Sequence, residues 1–221
     1  MPILMYHELG EVPHRLYVGL SEWEAHLDFL AREGYTTITL AQLYRHMTSG
    51  EPLPEKPVVI TFDDSYASFY EHAFPRLRER GFVATLFVIT DLVNHPRHVT
   101  WEQLREMAAA GIEIGAHSAT HPNLREVDAG RLEQEVAGSR RALEEQLGMP
   151  ILFFSYPGGS YDEKVLAAVK AAGYLGAVTV ASGAATPEDD PFQWPRVTVY
   201  RGTTPEKLQA LIDAALARSG G

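Results

Sequence analysis

Short, continuous apolar runs alternate with amphipathic segments along the whole 221-residue chain, and this alternation constrains the fold more than any other feature. The runs are rich in Val, Ile and Phe and lack the regular polar positions of a half-exposed strand. Such runs are typical of parallel strands buried on both faces. The predicted strands are Ile3–Tyr6, Thr36–Thr39, Val58–Phe62, Val83–Ile89, Ile112–Ala116, Ile151–Ser155, Gly176–Val180 and Val197–Tyr200.

The segments between these runs carry recognisable helix ends. Ser21 and Glu24 have the spacing of a capping box, and so do Thr100 and Gln103. The stretch Ala181–Pro195 is rich in Ser, Gly, Pro and Asp, which predicts a long surface loop. Later helices are predicted over Ala129–Leu147, Asp162–Ala172 and Pro205–Arg218.

Seven or eight strand–helix units in succession favour a closed barrel over an open sheet. The chain contains neither a G-x-G-x-x-G nor a Walker pattern, so nothing indicates nucleotide binding. We therefore predict an α/β fold, a distorted TIM-like (β/α)7–8 barrel, formed as a single domain by residues 1–221.

Composition excludes several kinds of partner. The net charge is −10 and no Lys/Arg run occurs, which argues against binding nucleic acid or an anionic membrane. The absence of cysteine excludes disulfides and thiolate metal sites. The opening MPILMYHELG lacks the basic and long apolar regions of a signal peptide or membrane span, so a cytoplasmic location is the default expectation.

Unusual polar residues follow several of the predicted strands. His7 follows ILMY, Asp63 and Asp64 follow VVITF, and His117 follows IEIGA, with His121 four residues later. Strand carboxyl ends meet at one rim of a β/α barrel, where the active sites of such barrels lie. We expect these five side chains to converge there, because two adjacent carboxylates require a nearby cation.

Two imidazoles and one carboxylate form a three-ligand face that leaves metal positions open for water and substrate. The other aspartate could then accept a proton from water activated at the metal, which indicates metal-assisted hydrolysis. Non-haem iron oxygenases use the same face, but an additional aspartate beside the metal suits proton transfer better than oxygen activation. The remaining histidines have no such placement and are interpreted as structural: His14, His26, His46, His72, His95 and His98.

The motifs LMYHELG, TFDDSY, EIGAHSATHPNL and FFSYPGGSY, in this order, resemble the polysaccharide deacetylases of carbohydrate esterase family 4. The resemblance runs from about Pro2 to Val180 and is specific, because TFDD is followed some fifty residues later by H-S-x-x-H-x-x-L. It implies a distorted (β/α) barrel that removes acetyl groups from N-acetylated, or occasionally O-acetylated, sugars. It also implies a divalent metal, usually zinc, with cobalt, nickel, iron or manganese as alternatives.

The resemblance assigns roles to individual residues. Asp63 matches the catalytic base, whereas Asp64, His117 and His121 match the metal ligands. The YPGG stretch matches the segment whose main chain helps form the oxyanion hole, which points to the N–H of Gly158.

The chain departs from the family pattern in its acid and in its arginine. The last helix contains no histidine in a Leu-x-His motif, and ILMYH resembles the permuted arrangement of poly-N-acetylglucosamine deacetylases, so His7 is assigned as the general acid. A structural role for His7 is the alternative. Ser155 occupies the position of the arginine that pairs with the catalytic aspartate, and Arg196 is a candidate to replace that arginine from the last strand.

The third departure is Gly158, which stands where the family usually has an aromatic residue after the motif proline. Tyr156, Tyr161 and Trp194 are then candidates for stacking on sugar rings, although aromatic residues are more often part of the core.

The predicted partner is an acetylated glycan or amino sugar, cleaved with release of acetate. The competing function is a catalytically inactive glycan-binding module on the same fold. Retention of Asp63 together with all three ligand residues favours the enzyme. None of these features indicates an oligomeric state.

Overall fold

The structure, a computed structural model, describes residues 1–219. Seven parallel strands close into a barrel, which confirms the predicted fold class. The barrel strands are β1 (Ile3–Tyr6), β5 (Pro57–Phe62), β6 (Thr85–Val88), β7 (Glu113–Ala116), β8 (Phe153–Ser155), β9 (Gly176–Ser182) and β10 (Trp194–Thr198). Their order around the barrel is β1-β10-β9-β8-β7-β6-β5, and β5 pairs with β1 to close the ring.

Three further strands lie outside the closed ring. An additional parallel strand pairs with the first half of β5, and a short two-stranded ladder follows β1 in the chain. These strands are β2 (Glu8–Leu9), β3 (Tyr17–Val18) and β4 (Thr36–Ile38). The helices are α1 (Leu20–Arg32), α2 (Leu40–Ser49), α3 (Phe74–Glu79), α4 (Trp101–Ala109), α5 (Ala129–Glu133), α6 (Ser139–Leu147), α7 (Glu163–Ala171) and α8 (Pro205–Ser219).

Alternate residues of each barrel strand face opposite sides, and two separate apolar clusters result. One cluster packs the strands against the helices, and the other gathers residues such as Val59, Phe153 and Trp194 inside the barrel. The inward-facing residues closer to the carboxyl end of each strand are polar. Thr61 and Asp63 follow Val59 at two and four residues, Ser155 follows Phe153 at two, and Arg196 follows Trp194 at two. The carboxyl rim of the barrel is therefore polar inside.

The last barrel strand begins three residues earlier than predicted, and the loop before it is shorter than predicted. We expected Val197–Tyr200, whereas β10 spans Trp194–Thr198 and β9 extends to Ser182. Pro195, which was predicted to end the loop, lies inside β10 although it has no N–H to donate to a neighbouring strand. The register of β10 against β9 shifts between Trp194 and Arg196, and this irregularity accommodates the proline.

Helix ends were predicted with mixed success. Thr100 caps α4 and accepts from the N–H of Gln103, as expected. The capping box at Ser21 was wrong, since α1 begins at Leu20 and its cap is Gly19, whose N–H donates to Glu22. Within the described part of the chain, no helix has the length and apolar character needed to cross a membrane.

Candidate metal and catalytic site

Side chains from three separate stretches of the chain meet at the carboxyl rim of the barrel. His7 follows β1, Asp63 and Asp64 follow β5, and His117 follows β7. Asp64, His117 and His121 each offer one ligand atom, and these atoms lie within 4.8 Å of one another. The predicted convergence of the ligand set is therefore what the structure shows.

Unusual backbone conformations bring the three candidate ligands together. Asp64 has φ 72°, Ser65 has φ 53°, Ser118 has φ 62° and His121 has φ 61°. Left-handed φ values are uncommon for residues with a Cβ, and they concentrate where a surrounding structure enforces them. Two tight turns, one after β5 and one after β7, thus direct the ligand side chains to the same point.

The tautomer of His117 is fixed by its second ring nitrogen. Nδ1 of His117 donates to the carbonyl oxygen of Ser155 at 2.7 Å, so Nδ1 carries the proton. Nε2 of the same ring lies 3.4 Å from Oδ1 of Asp64, and Nε2 of His121 lies 3.6 Å from that oxygen. A backbone carbonyl that orients an imidazole in this way is the usual support of a metal-binding histidine, and the donor set fits a divalent cation.

The two imidazoles differ in protonation. Burial alone would lower the pKa of His117, but the negative charges of Asp63 and Asp64 raise it above its ordinary value. Burial lowers the pKa of His121, and the neighbouring His117 lowers it further. In the metal-free protein, His117 therefore holds a proton more strongly than His121 does.

Asp63 is held by Arg196 in a buried, two-pronged ion pair. Nη1 and Nη2 of Arg196 donate to the two carboxylate oxygens at 2.8 and 2.7 Å, and both side chains are almost completely buried. The remaining donor, Nε, bonds the carbonyl oxygen of Thr179 at 2.8 Å. The structure thus places Arg196, which we assigned from the last strand, directly against Asp63.

Two hydroxyl groups complete the surroundings of this pair. Ser155 Oγ accepts from Arg196 at 3.1 Å and donates to Asp63 at 3.2 Å, and Thr61 Oγ1 accepts from Arg196 at 3.0 Å. Burial would raise the pKa of Asp63, but the charge and hydrogen bonds of Arg196 lower it well below the ordinary range. Arg196 therefore favours the ionised form of Asp63.

His7 lies in the same charge cluster and is half-buried. Burial lowers its pKa, while the charges of Asp63 and Asp64 oppose that shift. Its Nδ1 is buried and has no hydrogen-bond partner among residues 1–219. A buried ring nitrogen without a partner requires an explanation, and a role toward a bound molecule is one.

The YPGG stretch forms a tight turn after β8. Gly158 has φ 59° and ψ 12°, a left-handed conformation that a residue without a Cβ adopts at little cost. Gly158 is exposed, so its backbone is open to an incoming molecule.

Two of the three aromatic candidates are wrong as sugar platforms. Trp194 has no exposed surface and packs against Phe153 inside the barrel, with ring centroids 6.1 Å apart. Tyr156 is also fully buried, and its hydroxyl donates to the carbonyl oxygen of Phe192. Tyr161 is partly exposed and stacks on Tyr156 at 4.5 Å, so it alone of the three is available to a ligand.

His98, which we interpreted as structural, supports the backbone of the site. Its Nδ1 donates to the carbonyl oxygen of Asp64 at 3.1 Å, and its ring stacks on Tyr66. A donor to the backbone of a candidate ligand supports the left-handed turn that places Asp64. The sequence gives no signal for this contact, because His98 lies 34 residues away in a loop.

The rim of this parallel barrel thus carries two imidazoles, one carboxylate and a second carboxylate held by an arginine. The chain belongs to the polysaccharide deacetylase family, whose profile matches residues 50–177. The resemblance to carbohydrate esterase family 4 is thereby confirmed.

Individual relatives agree with this assignment. YxkH of Bacillus subtilis, assigned to the polysaccharide deacetylases, is 35% identical over 214 residues, covering 97% of this chain and 76% of that protein. The Streptococcus pyogenes deacetylase PplD, solved in complex with acetate, superposes with a TM-score of 0.91 at 28% identity and covers 96% of this chain and 97% of PplD. The poly-β-1,6-N-acetyl-D-glucosamine N-deacetylase of Staphylococcus aureus is 24% identical over 196 residues, covering 82% of this chain and 67% of that enzyme.

Proposed function

We propose that this protein is a divalent-metal-dependent hydrolase that removes acetyl groups from N-acetylated sugars and releases acetate. The observation that carries the proposal is the convergence of Asp64, His117 and His121 within 4.8 Å beside an ionised, buried Asp63. Membership of the polysaccharide deacetylase family supports the deacetylase chemistry, and the rim offers residues suited to it.

Asp64, His117 and His121 would hold the metal, with zinc as the first choice and cobalt, nickel, iron or manganese as alternatives. When bound, a divalent metal lowers the pKa of water to about 7 and polarises an acyl oxygen. The Ser155 carbonyl keeps the Nδ1 proton of His117 in place, so that Nε2 presents its lone pair.

Asp63 takes the proton from the attacking water. A carboxylate of low pKa is a weak base, so this role requires a water that is already acidic. Arg196 keeps Asp63 ionised and fixes both of its oxygens, while Ser155 Oγ supports one of them. Arg196 therefore fixes the orientation of the Asp63 carboxylate and at the same time makes it a weaker base.

The later steps use the other rim residues. As water adds to the acetamide carbon, the N–H of Gly158 donates a hydrogen bond to the developing oxyanion, a contact that typically contributes about 10²–10³ in rate. His7 then gives a proton to the leaving nitrogen as the C–N bond breaks. The products are acetate and a free amino sugar, which together account for the atoms of the acetamide and one water.

The names of the relatives and the chemistry of the rim support the proposed substrate class. The Staphylococcus aureus relative is named for N-deacetylation of poly-β-1,6-N-acetyl-D-glucosamine, and PplD was solved with acetate, the product of deacetylation. The nitrogen of an amide must receive a proton before it can leave, whereas the oxygen of an ester depends less on an acid. A proton donor at His7 therefore favours amide over ester cleavage. Tyr161 is the aromatic side chain available to a sugar ring.

The proposal is tested by acetate release from N-acetylated glucosamine oligomers after dialysis against a chelator and after addition of zinc or cobalt. We expect no release from the chelated protein and restored release with metal. Acetylated xylan in parallel separates ester from amide cleavage. No acetate release with any metal or substrate, combined with oligomer binding, would instead support an inactive glycan-binding module. Oxygen consumption that depends on a co-substrate would indicate an iron oxygenase.

Replacing His7 with Ala is expected to reduce kcat on N-acetylated oligomers by about 10²–10³, because the leaving nitrogen loses its proton donor. Metal affinity should stay within about threefold of wild type, since His7 is not in the ligand set. His14→Ala, in an exposed loop, is the matched control. A decrease in kcat of less than about tenfold would show that His7 is structural.

Metal affinity should decrease as the pH falls. The pKa of His117 is raised and that of His121 is lowered, so the proton that competes with the metal as the pH falls is first of all the one on His117. We expect the Kd to rise about tenfold per pH unit once the pH is below the pKa of His117. Calorimetry in buffers of different ionisation enthalpy should show about one proton released per metal bound, and a Kd independent of pH would contradict this reading.

A further inference from the structure

The loop that carries His121 is hydrogen-bonded by a buried carboxylate of the helix that follows it. Glu135 has no exposed surface, yet it lies on the helical stretch that begins at Asp128, outside the rim itself. A carboxylate is seldom fully buried unless all of its oxygens are bonded. The contacts of Glu135 therefore indicate what this charge does.

Both oxygens of Glu135 bond the turn between His117 and His121. Oε2 accepts from the backbone N–H groups of Ala119 and Thr120 at 2.9 and 2.8 Å. Oε1 accepts from the hydroxyl of Thr120 at 2.6 Å and from Nη2 of Arg131 at 2.7 Å. Three of the four donors belong to the two residues directly before His121, so the carboxylate fixes the path of the chain into that ligand.

The helix is distorted where Glu135 projects from it. Residues Gln134–Gly138 form a π-helical turn between α5 and α6, and the hydroxyl of buried Ser139 donates to the carbonyl oxygens of Glu135 and Val136 at 2.7 and 2.9 Å. Single π-helical turns within α-helices are frequent at functional sites. The distortion here directs a buried charge onto the ligand loop.

The loop also needs such support. Ser118 and His121 both have left-handed φ, and Ser118 Oγ accepts from the N–H of His121 at 2.9 Å. On the other side of the turn, the carbonyl oxygens of Ser118 and Ala119 accept from the backbone of the segment after β6. Glu135 supplies the acceptor for the N–H groups of Ala119 and Thr120. Without it, these two groups would lose that hydrogen bond.

We propose that Glu135 is a positioning residue that holds the His117–His121 turn in the metal-binding conformation before the metal arrives. This inference rests on the proposed metal site. Support of this kind typically accounts for about 10–100-fold in metal affinity. The effect acts through the backbone of Ala119 and Thr120, not through contact with the metal or the substrate.

The test measures zinc affinity of the purified, folded protein by competition with a chromophoric chelator. Glu135→Gln keeps the size of the side chain but presents an amide N–H₂ to donors, and we expect the Kd for zinc to rise about 10–100-fold. In the metal-free variant, the backbone amides of Ala119 and Thr120 should exchange their hydrogens faster than in the metal-free wild type. Glu133→Gln is the matched control, because Glu133 is an exposed glutamate of the same helix that pairs with Arg141.

A merely structural role for Glu135 would lower Tm and leave the Kd unchanged in the folded variant. If Glu135→Gln does not fold, Thr120→Val serves as the test variant. It removes the hydroxyl that donates to Glu135 and should raise the Kd for zinc about fivefold. A Kd within twofold of wild type in the folded variant overturns the inference while the proposed metal function stands. Failure of the wild-type protein to bind zinc at all would overturn both.

Discussion

Asp63→Asn is expected to lower kcat for acetate release by about 10³–10⁴, the upper part of the range for a general base. The amide cannot accept the proton of the attacking water, although it retains nearly the same shape. Metal affinity should remain within about threefold of wild type, because Asp63 faces Arg196 and is not one of the three clustered ligand atoms.

The same substitution should also destabilise the protein, because it leaves the buried Arg196 without a counter-charge. Breaking a buried ion pair from one side costs about 3–5 kcal/mol, so kcat is to be measured below the Tm of the variant. Asp213→Asn, on the exposed surface of α8, controls for the change in charge. A variant that is folded, binds metal and turns over within about tenfold of wild type would remove Asp63 from the mechanism.

Replacing His117 with Ala is expected to abolish both metal binding and acetate release. The change removes one of three donor groups and also frees the Ser155 carbonyl that held the ring. Because second-shell changes alone weaken metal affinity by about 10–100-fold, loss of a ligand should raise the Kd beyond that range. Turnover at micromolar zinc should fall below detection, and only part of it should return at millimolar zinc.

His72→Ala is the control for this experiment, since His72 is a half-exposed residue of the π-helical segment before α3. The measurement pairs zinc titration with acetate assays at several zinc concentrations. Normal acetate release from a His117→Ala protein that binds no metal would show that hydrolysis proceeds without the proposed ligand set.

The barrel and the ligand set could be predicted from sequence because both follow from local patterns. Continuous apolar runs identified the parallel strands, and the residues directly after β1, β5 and β7 identified the rim. The pairing of Asp63 with Arg196 was within reach for the same reason, since both lie in inward positions of barrel strands.

Contacts that depend on side-chain direction or on long-range packing were beyond the sequence. Trp194 and Tyr156 look like sugar platforms by type and position, but the strand alternation points Trp194 into the barrel and Tyr156 into the cluster shared with the helices. Glu135 and His98 act on the backbone of distant loops, through left-handed turns that no local pattern specifies. The position of β10 was missed because a bulge tolerates Pro195.

The most direct measurement is anomalous diffraction from crystals of the protein grown with zinc, recorded on both sides of the zinc absorption edge. We expect a single strong peak bonded to Asp64, His117 and His121, with Asp63 adjacent but not coordinated. A peak at another place, or none at saturating zinc, would contradict the claim that these three side chains form the catalytic metal site.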